Sequence, residues 1–545
     1  MVIRSIIDNL DPLFNPKSVA VIGATNDWNK WGFSTFLSTI DGFEGSIYPI
    51  NSKEESILGH KAFKKVTDVP GEVDLAVFVI PAPSIPAVMD DCARKGVRAA
   101  VLISAGFAET GEEGRKLQDE VLEIARRGSI RLVGPNCMGF WSASSKLKAT
   151  MVPLQIHPGP LALVTQGGNL GISIAMSAYQ RGLGFHRYVS CGCTADIPIE
   201  DYIEHFGEDP DVKVILTYIE GLEDGGRFIE KAKRVTPRKP VIALKPGKGE
   251  ATAKAIRSHS GVLCGYDEIY EEAFKKAGVI RAETPEELLD IAIGFLMQPL
   301  PRGRNVAILT PGGSYGVVCT DDCVSNKLNV VEFPEETIAE FNQIFPPRWS
   351  HGNPVDPAGD RNLVAFLKAP EMILKLDEVD ALIFMGFGSV TSLSDMLVGT
   401  LSKFQVSEET VQLSGKPDID SITSLLSPLF WVQKDREREE LRRILTLVIE
   451  SRDVDVPSLL GDISSSFTSE GVDLSKMFAI LDVFLAALVL HWIKTYKKPV
   501  VPTSFTDMGS YVKLKRGYYY SYPSPQRAAR VLAKLAEYKE YLERC

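Results

Sequence analysis

The chain has 545 residues, of which 45% are apolar and 24% charged, and its formal net charge is -10 at neutral pH. This length exceeds what one ordinary core supports and predicts several domains. The composition excludes long disordered or collagen-like stretches. The acidic balance offers no global attraction to nucleic acid or an anionic membrane, so any phosphate must be held by local devices.

Eight cysteines (Cys92, Cys137, Cys191, Cys193, Cys264, Cys319, Cys323 and Cys545) show no C-x-x-C spacing. That usage fits reduced, buried thiols and predicts a cytoplasmic location. The opening residues, MVIRSIIDNLDPLFNPKSV, carry no apolar core of a signal peptide. From residue 18 to 136, short β-branched runs recur (SVAVIG, SIYPIN, LAVFVI, AAVLIS, RLVGPN), separated by stretches with helical spacing. This predicts a parallel sheet with crossover helices. A second series follows HPGP: LALVTQGG, HRYVSCG, VKVILTYIEG and KPVIALKPG, then GVIRAETPEELLDIAIGFL. After the linker QPLPRGR a third begins: NVAILTPGG, NVVEFPEE, ALIFMGFG, KPVVPTSF and GYYYSYPSPQRAARVLAKLAEY.

The second and third series read as degenerate copies. LALVTQGGNLGISI and VAILTPGGSYGVVC share a strand, a threonine, a Gly-Gly pair, a further glycine and a helix. Each series closes on a helix with proline near its first turn, where the missing N–H costs little. Between about 395 and 475 the strand pattern lapses and a charged helical stretch, QKDREREELRRILTLVIESRD, predicts a helical insertion. The most apolar run, MFAILDVFLAALVLHWIK, is about as long as a membrane span. It carries Asp482 and His491 and leads into KPVVPTSF, so it reads as a buried helix feeding a strand.

Four strand-end junctions can face a ligand. Gly23 starts a phosphate-type turn after the first strand, without the other glycines of G-x-G-x-x-G; its N–H groups could still face a nucleotide phosphate, with Lys53 in PINSKEE placed to help. GPNCMGF ends the fifth strand at the edge where doubly wound sheets bind ligands. TQGGN (165–169) and TPGGS (310–314) each join a strand to a helix, offering N–H groups, the helix dipole and close approach. A lone histidine, His259, sits in AIRSHSGVLCGYDE among Ser258, Ser260, Gly261 and Gly265, which remove bulk around the ring. A neutral imidazole attacks phosphorus well when a carboxylate fixes its tautomer, and Glu220, ending VILTYIEG, is a candidate for that carboxylate.

The stretches NPKSVAVIGAT, IYPINSKEESILGHKAF, VLISAGFAETG, GPNCMGF, SHSGVLCG, HGNPVDPAGD and YPSPQRAARVLA, in this order, resemble the α subunit of the ADP-forming acyl-CoA synthetases, relatives of succinyl-CoA synthetase. The resemblance implies an α/β protein: an N-terminal Rossmann-like CoA-binding domain (1–150), then two flavodoxin-like domains of the succinyl-CoA-synthetase type (151–300 and 301–545), the last with the insertion. It implies a reversible ligase that joins a small carboxylic acid to CoA with ATP through an acyl phosphate, with His259 transiently phosphorylated and Glu220 orienting it. Gly23, Ala24, Thr25 and Lys53 would lie along the CoA nucleotide, Pro81 and Ala82 would line the site, and Asn136 and Cys137 would lie toward the thioester. Thr165, Gln166, Gly167 and Gly168, with Gly312, Gly313 and Ser314, would supply two helix N-termini to the phosphate. The family usually shows Ser-Gln-Ser-Gly where this chain has Thr165 to Gly168, which removes one hydroxyl and keeps the backbone donors.

No Gly-rich nucleotide loop remains outside these domains. The resemblance therefore implies that ADP or ATP with magnesium binds a separate ATP-grasp β subunit, in an α2β2 assembly. No metal site is expected on this chain. The alternative is a non-catalytic CoA- or acyl-CoA-binding or regulatory protein of the same fold.

Overall fold

In the computed structural model the described residues are 10–252, 254, 256, 266–360, 362–386, 419–420, 423, 432, 434–450, 467–468, 471–472, 474–504, 510–514 and 517–545. The chain forms two compact units, Met1–Ala292 and Ile293–Cys545.

The first unit contains two sheets. The first has β1 (Ser18–Ile22), α1 (Trp31–Ile40), β2 (Ser46–Ile50), β3 (Leu75–Phe78), α2 (Ile85–Lys95), β4 (Ala99–Leu102), α3 (Glu112–Arg127) and β5 (Arg131–Val133). Its strands are parallel in the order β2-β1-β3-β4-β5, with Val19 opposite Leu75 and Val77 opposite Val101. β1 and β3 are buried along their whole length, as expected of apolar strands covered by helices on both faces. Chain order reverses between β1 and β3, which opens a crevice at their carboxyl ends. Gly23 follows β1 there with φ +92°, and a Cβ would stand 2.3 Å from the Val79 carbonyl oxygen. Only glycine lets the turn lie this close to β3.

The second sheet starts with an antiparallel hairpin, β6 (Gly139–Ser142) and β7 (Leu147–Thr150). It continues with β8 (Leu161–Thr165), α4 (Gly168–Gln180), β9 (Phe185–Ser190), α5 (Ile199–Glu208), β10 (Val214–Tyr218), α6 (Gly225–Val235), β11 (Val241–Leu244), α7 (Asp267–Ala277), β12 (Ile280–Ala282) and α8 (Pro285–Met297). The order is β12-β11-β10-β8-β9-β6-β7, so its parallel part repeats the pattern of the first sheet, with the hairpin added on the β9 edge. The switch point falls between β8 and β10. One core runs through both sheets, from Val19 and Val77 to Val164, Ile215 and Ala243.

The second unit repeats the arrangement. Its elements are β13 (Asn305–Leu309), α9 (Gly313–Ser325), β14 (Asn329–Val330), α10 (Glu335–Phe341), α11 (Leu363–Lys375), β15 (Ala381–Met385), α12 (Asp435–Ile449), α13 (Leu474–Tyr496), β16 (Val500–Thr503), β17 (Ser510–Leu514), β18 (Gly517–Ser521) and α14 (Pro525–Leu542). The parallel order is β14-β13-β15-β16, again reversing after the first strand. The charged stretch of the insertion is α12, which buries Leu441, Ile444, Leu445 and Val448 and packs on α11 and α13. The apolar run is α13, with 484–489 buried, and it feeds β16 as its sequence implies. Among the described residues, no helix is long and apolar enough to cross a membrane. Both closing helices start with proline at the first turn, and Ser524 caps α14 by accepting from the Arg527 N–H at 3.3 Å.

Candidate functional site

A cavity of about 1130 Å³ in the first unit lies where the switch points of its two sheets open. Gly23 from the β1–α1 turn, Gly32 from the first turn of α1, Pro81 after β3, Asn136 and Cys137 after β5, Gln166, Gly167 and Gly168 after β8, and Glu220 after β10 all line it. These residues are distant in sequence, and the strand order brings their loops to one side. Asn136 adopts φ +56°, a conformation asparagine tolerates, and its N–H donates to the Ser104 carbonyl at 3.0 Å.

The β8–α4 turn is built for an anion. Its N-cap is Gly167, which provides no side-chain cap. The first-turn N–H groups of a helix have no partner within the helix and carry its positive dipole end. Gly168, Asn169 and Leu170, which form that turn, line the cavity. The Thr165 hydroxyl donates to the Gly167 carbonyl at 2.9 Å and accepts from the Gly167 N–H at 3.1 Å, so the turn is held rigid from behind. Gln166, buried, clamps the neighbouring loop: its Oε1 accepts from the N–H of Glu220 at 2.5 Å and of Gly221 at 3.1 Å, and its Nε2 donates to the Gly221 carbonyl at 3.0 Å. Glu220 is 3% exposed, so its carboxylate is presented to the cavity from a nearly dry setting.

The thiols near the cavity are not nucleophiles. Burial pushes Cys137 up to about 12, and burial together with the Glu109 charge does the same for Cys193. A nucleophilic cysteine needs the opposite shift.

Several sequence candidates are not among the residues that line the cavity. Ala24 and Thr25 are buried in the β1–α1 turn. The Thr25 hydroxyl donates to Glu54 at 2.5 Å, and this bond, with help from the Asn26 N–H, holds the Glu54 carboxyl below the usual carboxylate range. Lys53 is exposed, its N–H donating to Asn51 Oδ1 at 2.8 Å. Ala82 is buried next to Pro81, and Thr165 acts only from behind the turn. Gly312, Gly313 and Ser314 belong to the second unit, at the start of α9. His259 falls outside the described residues; Thr252 and Ile256, shortly before it in the chain, line the cavity.

Sequence reasoning missed Tyr218, Met138 and Trp31, which also line the cavity. Tyr218 had a signal, since it ends the strand two residues before Glu220; Met138, in its loop, and Trp31, at the start of α1, had none of their own. Among the described residues, His186, Asp209 and Asp211 bring three possible metal-ligand atoms within 4.8 Å of one another. Asp209 there is bound by Arg187 at 3.0 Å, which makes the group an ion-pair network.

Three family models match the chain: a CoA binding domain over 17–142, a succinyl-CoA ligase like flavodoxin domain over 158–295 and a ligase-CoA domain over 306–424. The chain is 41% identical over 374 residues to the α subunit of ADP-forming acetate–CoA ligase II of Pyrococcus furiosus, covering 69% of this chain and 81% of that protein. To the α subunit of the first such ligase of the same organism it is 44% identical over 356 residues, covering 64% and 77%. Among solved structures, the dinucleotide-forming acetyl-coenzyme A synthetase 1 of Ca. Korarchaeum cryptofilum, in complex with phosphate and ADP, matches with a TM-score of 0.69 and 28% identity over 98% of this chain and 97% of that one.

Proposed function

Because the chain belongs to the family of ADP-forming acetate–CoA ligase α subunits and is a catalytic subunit of an ADP-forming acyl-CoA synthetase, we propose that its cavity is where CoA, the acyl group and the phosphoryl group meet. CoA would enter along Gly23, Ala24, Thr25, Lys53, Pro81 and Ala82, with Asn136 and Cys137 toward its thioester end. Phosphate oxygen attacks the thioester carbonyl, the C–S bond breaks, and the CoA thiolate leaves. The acyl phosphate charge is met by the N–H groups after Gly167 and the dipole of α4. A nitrogen of His259 then attacks phosphorus and the carboxylate of the free acid leaves, while Glu220 orients the ring and balances its positive charge. For Gly312, Gly313 and Ser314 the reading is a second phosphate-binding helix N-terminus; a hydrogen-bond pattern matching that of Thr165 to Gly168 supports it.

The single observation that carries this reading is the convergence of an uncapped helix N-terminus, a nearly dry glutamate and the β1–α1 turn on one cavity. Three α/β sheets support a division into a CoA-binding domain (1–150) and two ligase domains (151–300 and 301–545), the last with an insertion at about 395–475. An α subunit has a β partner; on this reading the partner is an ATP-grasp subunit that binds ADP or ATP with Mg²⁺ in an α2β2 assembly in the cytoplasm. A purely CoA-binding or regulatory role is not favoured, since the relatives are ligases.

The test is the ligase reaction of the chain reconstituted with its β partner. ADP formation should require both CoA and an acid, and should be lost in His259→Asn with CoA binding retained. Undiminished turnover in that variant contradicts the reading.

A further inference from the structure

We infer that Tyr218 is a positioning residue that fixes the Glu220 carboxylate toward the cavity, and that position 167 is glycine so that the Tyr218 ring can stand against the anion-binding turn. This rests on the role proposed above for Glu220.

Tyr218 is the last residue of β10, and Glu220 follows two residues later, so an extended chain sends both side chains to one face. Ile219 between them points the other way, into the core, and is fully buried. Both Tyr218 and Glu220 line the cavity. The Tyr218 phenol stands near the Glu220 side chain; burial first, and then the Glu220 charge, raise the phenol well above its ordinary value. The proton therefore stays on the phenol, so the inferred bond has the phenol as donor and the carboxylate as acceptor.

Glu220 is thus held at two levels. Gln166 fixes its backbone through the two N–H groups described above, and on this inference Tyr218 fixes its side chain. Both holds are tied to the same turn. The Gln166 N–H donates to the Tyr218 carbonyl at 3.2 Å, and the Tyr218 ring lies over Gly167 so closely that a Cβ there would be 2.9 Å from Cε1 and 3.3 Å from Cδ1. Gly167 has φ -93° and ψ 111°, which any residue adopts, so its backbone does not require glycine. The ring does. A side chain at 167 would push the ring away from its place beside Glu220. The turn that offers N–H groups to an anion and the carboxylate that faces it therefore share one support.

A tyrosine that merely packs at a strand end would behave differently from one that orients a carboxylate, and Tyr218→Phe separates the two because it keeps the ring. In the reconstituted complex, Tyr218→Phe should lower kcat about ten- to a hundredfold, the loss expected for one hydrogen bond to a charged group. The KM for CoA should stay within about twofold, and the thermal midpoint should be unchanged. The single-turnover rate of phosphoryl transfer from labelled ATP to His259 should fall with kcat. Gly167→Ala should lower kcat about three- to tenfold in the wild type and little further in the Tyr218→Phe background, since both act through one ring position. Wild-type kcat and labelling rate in Tyr218→Phe would overturn the role of Tyr218, and additive effects of the two substitutions would overturn the role of Gly167. If wild type labels and the variant labels equally fast, this inference alone fails. If wild type takes no label at His259, the reading of Glu220 fails and this inference with it.

Discussion

The turns Thr165–Gly168 and Thr310–Gly313 share one backbone design and differ in their surroundings. In each, the threonine hydroxyl donates to the carbonyl two residues on and accepts from that residue's N–H, at 2.9 and 3.1 Å in the first and 2.9 and 3.2 Å in the second. In each, the glycine N-cap carbonyl accepts from the glycine four residues later, at 3.0 and 3.3 Å. The first turn, however, is crowded: a Cβ at Gly167 meets Tyr218, and one at Gly168 meets Met138 Cγ at 2.3 Å. At Gly312 a Cβ meets nothing within 4 Å, and at Gly313 it meets only Asp356 Oδ2, at 3.0 Å. Asp356 is held there by the Ala358 N–H on its Oδ1 at 2.8 Å. A carboxylate beside a helix N-terminus stabilises the helix and competes with other anions for it. The two turns therefore share a backbone pattern, while the neighbours decide which of them is organised around a buried acid.

The comparison can be broken at its strongest point. Glu220→Gln keeps shape and removes the charge, and should lower kcat about a hundredfold or more, as for other carboxylates that orient a catalytic histidine. Asp356→Asn at the second turn should change kcat less than about threefold. Steady-state ADP formation by the reconstituted complex measures both, and equal losses would erase the distinction. A smaller effect is expected from matched alanines. Gly167→Ala should lower kcat about three- to tenfold by displacing Tyr218, whereas Gly312→Ala, with open space around its Cβ, should leave the thermal midpoint within about 1 °C.

Where the turns are alike, the effects should be alike. Thr165→Val and Thr310→Val each remove a hydroxyl that pairs two backbone groups, and each should cost about 1–2 kcal/mol of stability by denaturant titration. A cost at only one of them would show that the shared hydrogen-bond pattern does not carry shared energy. The smallest effect concerns the thiols by the first turn. Cys137 and Cys193 are both held near 12, so at pH 8 they stay protonated, and thiolate alkylation followed by mass spectrometry should leave them unmodified in the native protein while exposed Cys545 reacts. A raised thiol pKa means reactivity appears only as pH climbs toward 12, or on unfolding.

Much of this was readable in the chain. The Thr-x-Gly-Gly turns, the strand series and the closing proline helices are local patterns, and local patterns survive in sequence. Glu220 was visible as a carboxylate at a strand end, and the apolar run could be told from a membrane span by Asp482 and His491. What sequence could not show depends on chain segments that meet only in space. Gln166 reads as an ordinary polar turn residue until its carboxamide is seen spanning Glu220 and Gly221. Gly167 reads as a lost hydroxyl until the Tyr218 ring is seen filling the space. Asp356 is more than forty residues from the turn it faces. Lys53, a cation that sequence places after a strand, is exposed and outside the cavity lining, and its sequence position alone does not say what it meets.

The central claim, that the first turn and Glu220 serve phosphoryl transfer through His259, is tested most directly by rapid-quench labelling. The chain is mixed with its β partner, magnesium and γ-labelled ATP, and the label is mapped by peptide after quenching in base. The account predicts base-stable, acid-labile label on the peptide holding His259, formed at least as fast as turnover in wild type and at least about tenfold slower in Glu220→Gln. Turnover without label at His259, or label forming equally fast in Glu220→Gln, would contradict it.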